Sequence, residues 1–194
     1  TQLQENLQIA GDDMIPICQD TGMAVVFIDL GQECHITGGA LEDAVNAGVA
    51  AGYTDGFLRK SIVSDPLRRV NTEDNTPAVL HLRLVPGDQM SITVAPKGAG
   101  SENMTTLKML KPTTPLDEVE NAIIQAVEEA GSNPCPPVVV GIGIGGNSEQ
   151  CALLAKRALL RPLDEHIPDP LYREMEERLL ERINKLGIRP QGLG

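Results

Sequence analysis

Apolar and polar positions change period several times along the chain, and each change marks an element. Residues 1–15 are mostly polar and predict a short helix. The unbroken apolar run Met23–Leu30 predicts a buried strand, followed by a turn at Gly31-Gln32-Glu33 and a short returning strand from Cys34 to Thr37. Gly38-Gly39 then opens a small-residue helix from Ala40 to about Ala51, with Leu41, Ala44, Val45 and Val49 at helical spacing. Between Ala78 and Val85 the pattern alternates, with Leu80, Leu82 and Leu84 on one face and His81 and Arg83 on the other. Met90–Ala95 follows across the turn Pro86-Gly87-Asp88, so the two runs read as a hairpin. Thr114 as cap and Pro115 as first residue start a helix striped by Leu116, Val119, Ile123, Val127 and Ala130, and Gly131 stops it. The stiff loop Asn133-Pro134-Cys135-Pro136-Pro137 feeds an apolar run, Val138–Ile144, that reads as a second buried strand. A helix from about Ser148 to Leu160 comes next. The last begins with Asp169 as cap and Pro170 first, and turns Leu171, Met175, Leu179, Ile183 and Leu186 inward. The fold class expected is mixed α/β, a short mixed or antiparallel sheet with packed helices.

Composition narrows the partners. At 194 residues and 41% hydrophobic the chain can bury a core, as one domain or two small ones. Sixteen basic residues against 27 acidic give a net charge of −11, which argues against nucleic acid or an anionic membrane as partner, since both require positive surface. Aromatic residues are 2% of the chain and Trp is absent, so a base-stacking platform is not expected. No apolar run approaches the roughly 20 residues that span a bilayer, and no signal peptide opens the chain, so a cytoplasmic protein is expected. Four cysteines (Cys18, Cys34, Cys135, Cys151) fit reduced thiols better than a disulfide framework, with metal ligands among the possibilities.

Three loops concentrate the reactive groups. Pro16-Ile17-Cys18-Gln19-Asp20-Thr21-Gly22 places a thiol, an amide, a carboxylate and a hydroxyl on consecutive residues just before the Met23 strand. Such a stretch suits an active-site loop, or else a polar turn with one incidental cysteine. Lys97-Gly98-Ala99-Gly100-Ser101-Glu102-Asn103 resembles a phosphate cradle but lacks the Gly-Lys-Ser/Thr ending of a P-loop, and its amides with Ser101 and Asn103 could equally hold a carboxylate. The third loop carries Cys135 beside prolines, and Cys18 with Cys135 forms a candidate ligand pair. Cys34 and Cys151, in a strand-like and a helical stretch, read as small buried thiols. Arg59, between Leu58 and Lys60-Ser61, offers a guanidinium fork for a carboxylate, or a solvated helix end. Gly141, Gly143 and Gly146 formally fit G-x-G-x-x-G. However, Asp164 and Glu165, the acids at the right distance, follow a helix rather than a strand. Tight packing of a helix on its strand, or an anion-binding helix start, explains these glycines as well. His35, His81 and His166 are widely separated and read as structural or exposed.

Taken in order, these loops resemble the alpha portion of class I (iron–sulfur) fumarate hydratases and the related L-tartrate dehydratases. The matching residues are Cys18–Gly22, Leu58–Ser61, Lys97–Asn103, Cys135-Pro136-Pro137, Gly141–Gly146, Lys156 with Ala158–Arg161, and Pro190–Gly194. The resemblance implies a single alpha-type catalytic domain over residues 1–194, with the fold of that family's N-terminal domain and cut short at its C-terminus. It implies a hydro-lyase that interconverts fumarate and malate, as part of the tricarboxylic acid cycle, with L-tartrate dehydratase as the alternative. A nucleotide-dependent oxidoreductase using the Gly141 loop, and a non-catalytic oligomerisation module, are the readings from other classes. The resemblance further implies a [4Fe–4S] cluster held by Cys18, Cys135 and a third cysteine downstream of residue 194. Gln19 and Asp20 would face substrate, with Asp20 moving a proton. Arg59 would clamp one carboxylate of the dicarboxylate, and Gly98, Gly100, Ser101, Glu102 and Asn103 would hold another. A beta subunit or domain would supply the rest of the site in an oligomer, so no activity is expected of these residues alone.

Overall fold

The computed structural model describes residues 1–15, 17 and 20–189. The chain divides into two compact units, one from Thr1 to Ala99 and one from Gly100 onward. The first unit contains α1 (Gln2–Asp13), β1 (Met23–Gly31), α2 (Leu41–Asp55), β2 (Val79–Val85) and β3 (Met90–Lys97). The boundary falls in the short α3 (Ala99–Glu102), and the second unit continues with α4 (Leu116–Ala130), α5 (Ser148–Ala158) and α6 (Pro170–Asn184).

The apolar run at Met23 becomes the middle strand of a three-stranded sheet ordered β2-β1-β3. Ala24, Val25, Val26, Phe27 and Ile28 are all buried, and a strand that is apolar on both faces belongs in the centre of a sheet. β1 pairs parallel with β2 (Val26 opposite Leu80) and antiparallel with β3 (Val26 opposite Val94). The expected hairpin is therefore corrected: β2 and β3 do not pair with each other, because β1 lies between them. Their connection crosses the end of β1. There Gly31 N–H donates to Gln89 O (2.8 Å), Gln32 N–H to Val85 O (2.8 Å) and Glu33 N–H to Gly87 O (2.9 Å). A Cβ on Gly31 would lie 2.4 Å from Gly87 O, so a glycine is what lets the connection pass. The returning strand expected at Cys34–Thr37 is also absent, since both edges of β1 are already taken.

α2 covers one face of this sheet. Val49 and Tyr53 join Ala24, Val26 and Ile28 in the core, with Leu41, Val45, Leu58 and Leu80 packed against it. The helical stripe read from Leu41 to Val49 thus continues one turn further, to Tyr53. Asn46 Oδ1 accepts from Ala78 N–H (2.8 Å) and ties the helix to the start of β2. On the opposite face Phe27 stacks on His81 with centroids 4.9 Å apart, and Arg83 pairs with Asp29.

In the second unit α4 packs on α6. α6 starts as the sequence predicts, with Asp169 Oδ1 accepting from Leu171 N–H (2.9 Å), and it buries Met175 and Leu179. α4 differs by one residue at its start: Pro115 occupies the cap position, with no side-chain cap. The buried Glu120 of α4 accepts from Arg178 (2.8 Å) and from Arg182 (3.3 Å) of α6. The buried strand expected at Val138–Ile144 does not form. The segment has no ladder partner among the described residues, and Val138, Val139, Val140 and Ile144 are 40–54% exposed. Its glycines instead meet α5: a Cβ on Gly141 would lie 2.2 Å from Ala155 O, and one on Gly143 2.1 Å from Cys151 O. Close packing on the helix accounts for the Gly-x-Gly spacing.

Candidate active site

β1 and β3 run antiparallel with Met23 opposite Lys97, so the loop that enters β1 and the loop that leaves β3 meet at one end of the sheet. That pairing brings Asp20 beside Gly98, residues 78 positions apart in sequence. A Cβ on Gly98 would lie 3.4 Å from Asp20 Oδ2, so the glycine leaves room for the carboxylate. Gly22 is under tighter constraint: its φ is +57°, and a Cβ there would come within 1.8 Å of Lys97 O. Only glycine fits between the two loops.

A third segment joins them. Thr21 Oγ1 donates to Arg59 O (3.3 Å), and Tyr53 Oη donates to Thr21 O (3.2 Å). Asn75, fully buried and with φ +63°, ties this third segment to the loop that enters β1. Its Oδ1 accepts from Ser61 N–H (2.7 Å) and Ile62 N–H (3.1 Å), while its Nδ2 donates to Gly22 O (2.9 Å). Burial pushes the Tyr53 phenol up from its usual value; hydrogen bonds to Thr21 and Asn75 oppose the rise, and the nearby Asp20 charge adds to it. Arg59 lies beyond the end of α2 and is exposed. Among the described residues no carboxylate pairs with its guanidinium, and no donor is hydrogen-bonded to the Asp20 carboxylate. The first unit therefore presents an acid and a guanidinium that no described side chain pairs with. The Ser61 hydroxyl is buried with no partner among the described residues.

In the second unit, Gly100 packs under Asn133, whose carbonyl would be 3.2 Å from a Cβ. Met104 N–H donates to Ser101 O (3.2 Å) and Thr105 N–H to Glu102 O (3.0 Å), closing the loop behind α3. Ser101 is half-buried and Asn103 exposed. Glu102 is ion-paired with Lys156 of α5, both side chains about three-quarters buried. That pairing cancels a negative charge which would otherwise repel an anion at this loop.

Cys135 has φ +58° and an exposed, free thiol. Its Sγ is 4.0 Å from Asn133 O, too long to hold it. Cys34 and Cys151 are half-buried rather than fully buried, and the Cys151 thiol donates to Gly143 O (3.0 Å), a structural role. Cys18 and Gln19 lie outside the described residues. Among the described residues no three His, Cys, Asp or Glu side chains gather as a metal site. Cys135 fits an iron–sulfur ligand in donor type and exposure, as one member of a set. Reading the sequence as loops passed over Asn75 and Tyr53. An asparagine in a proline-ended loop signals tolerance of left-handed backbone, but nothing in the sequence marks it as buried.

Comparison with known proteins decides the family. The family described as fumarate hydratase (Fumerase) matches residues 1–194. The chain belongs to this family. It is 39% identical over 196 residues to a Methanocaldococcus jannaschii protein provisionally named L(+)-tartrate dehydratase subunit alpha, covering 98% of this chain and 68% of that protein. It is 34% identical over 193 residues to the L(+)-tartrate dehydratase subunit alpha of Escherichia coli (strain K12), covering 97% of this chain and 63% of the relative. The chain thus spans about two thirds of the length of these relatives. No described helix is long and apolar enough to cross a membrane.

Proposed function

We propose that this chain is the cluster-binding alpha portion of an iron–sulfur hydro-lyase that interconverts fumarate and malate. The observation that carries the reading is the Asp20 carboxylate, set beside Gly98 and in the same loop network as the exposed Arg59. Removing water from a 2-hydroxy-dicarboxylate requires a proton taken from carbon and help for a poor leaving group. Asp20 is suited to hold or move that proton, since no described donor ties it down. The Arg59 fork matches a substrate carboxylate, and Gln19 contacts substrate beside Asp20. The amides of Gly98 and Gly100, with Ser101, Glu102 and Asn103, take a second carboxylate, the Glu102 charge being offset by Lys156. Cys135 and Cys18 are two ligands of a [4Fe–4S] cluster, and the third thiol comes from outside these residues. When bound, the cluster supplies a Lewis-acidic iron for the departing hydroxyl.

The name shared by the relatives implies a beta partner that completes the site. The same name favours a second substrate, L-tartrate, whose dehydration asks for the same acid, guanidinium and iron. A place in the tricarboxylic acid cycle and in the cytoplasm goes with the fumarate reading.

The test is anaerobic reconstitution of the protein at its relatives' length with a beta partner, followed by iron and sulfide analysis and assays on fumarate and L-tartrate. Wild type binds iron and sulfide with broad visible absorbance and hydrates fumarate, and Cys135→Ser loses both the absorbance and the turnover. Turnover of L-tartrate alone selects the second substrate. A Cys135→Ser protein with full cluster content removes that ligand assignment.

A further inference from the structure

We infer that Asn75 is a positioning residue of this site: one buried amide that sets the Asp20 loop and the Arg59 loop in register. The inference rests on the hydro-lyase reading for its kinetic consequence, and on geometry alone for its structural one. Asn75 is 0% exposed, and its side chain reaches across 53 residues to Gly22 and back 13 and 14 residues to Ile62 and Ser61. The acceptor side of the amide fixes the two N–H groups that follow the Arg59-Lys60 dipeptide. The donor side fixes the carbonyl that follows Asp20-Thr21. No single-function side chain does both: a carboxylate lacks the donor, and an apolar residue lacks both. The left-handed backbone at Asn75 (φ +63°) is one that asparagine tolerates better than leucine or valine does.

Other contacts between the two loops cannot replace it. Thr21 Oγ1 to Arg59 O is long at 3.3 Å, and Tyr53 reaches Thr21 O at 3.2 Å and otherwise Asn75 itself, so its contact depends on the same amide. The hydrogen bonds of Asn75 to the two loops end on backbone groups of Gly22, Ser61 and Ile62, so its influence on Asp20 and Arg59 passes through backbone. Removing it leaves two part-buried N–H groups and a buried carbonyl to find new partners, and the loops that carry Asp20 and Arg59 drift apart.

Two measurements test this on Asn75→Asp and Asn75→Ala. The first is hydrogen exchange of the Ser61 and Ile62 amides in the 194-residue chain. Asn75→Ala speeds exchange at both, whereas Asn75→Asp, which keeps an acceptor, protects them and loosens the Gly22 side. The second is steady-state kinetics of the assembled, cluster-loaded enzyme, with Glu120→Gln as a control that loosens α4 on α6 within the second unit. Asn75→Asp raises KM for the dicarboxylate about 10- to 100-fold, as a misplaced carboxylate clamp does, with visible absorbance unchanged. The control lowers Tm and leaves KM alone. Unchanged exchange at Ser61 and Ile62 in Asn75→Ala overturns the structural half of the inference, and a KM equal to that of wild type overturns the kinetic half. Wild type that shows the exchange pattern but turns over no dicarboxylate refutes the hydro-lyase reading and leaves the Asn75 clamp standing.

Discussion

Single residues in the first unit carry the site by exclusion as much as by contact. Gly22 is the sharpest case, because its φ of +57° and the 1.8 Å approach of a Cβ to Lys97 O penalise any side chain twice. Gly22→Ala is expected to cost more than about 2 kcal/mol, read as a fall in the denaturant midpoint. Tyr53 offers a titration. Its phenol holds its proton above the usual value of 10.0, chiefly because it is buried, so the folded state keeps a proton that the unfolded chain gives up. The stability this contributes is complete below the unfolded value, and it is lost as pH rises from there through the folded value. Tyr53→Phe is expected to flatten that alkaline loss and to cost about 1 kcal/mol at neutral pH through the hydrogen bond to Thr21. Alkaline unfolding followed by circular dichroism checks both. Ser61→Ala removes a buried hydroxyl with no partner among the described residues and is expected to leave stability equal or higher, by up to about 1 kcal/mol, in thermal melts.

Elements explain what the sequence made legible and what it did not. Helices came through because their signals are local. The stripe Leu41-Val45-Val49 and the Asp169-Pro170 start need no knowledge of neighbours, and α2 and α6 stand where those patterns put them. Strand pairing is not local. The alternation at Ala78–Val85 and the turn at Pro86–Asp88 suit a hairpin. The more apolar β1 nevertheless claims the centre, and the turn becomes a crossing over Gly31. Val138–Ile144 failed as a strand for the converse reason: the apolar, β-branched run has no ladder partner among the described residues, and its glycines serve α5 instead. The candidates Asp20, Arg59 and Gly98 stood out as residue types in loops, and the structure places Asp20 beside Gly98. The clamp between the loops was not, because burial of Asn75 is a property of the folded arrangement. In the second unit the buried Glu120 ties α4 to α6 through Arg178 and Arg182, and hydrogen bonding to Glu120 holds the Arg178 guanidinium still more firmly protonated. Glu120→Gln removes the charge from a side chain only 8% exposed, while its arginine partners stay about 40% in water. The expected loss is about 1–3 kcal/mol, measured as the shift in denaturant midpoint.

At the scale of the whole molecule, two features set the terms of activity. A net charge of −11 repels anions from the surface as a whole, so the proposed dicarboxylate substrate would depend on local cations. Arg59 is an exposed cation of the first unit, and in the second Lys156 neutralises Glu102; on the proposed reading these are the local corrections. The chain also accounts for 63–68% of the length of its relatives, which themselves are named as alpha subunits, so turnover is a property to be measured on the assembled protein. The most direct measurement is the rate of malate formation from fumarate by the assembled, cluster-loaded protein, wild type beside Asp20→Asn. The account predicts hydration by wild type and a fall of about 100- to 10,000-fold in Asp20→Asn, with the visible absorbance of the cluster unchanged. Turnover by Asp20→Asn at the wild-type rate, or no hydration of fumarate by a fully loaded wild type, would contradict it.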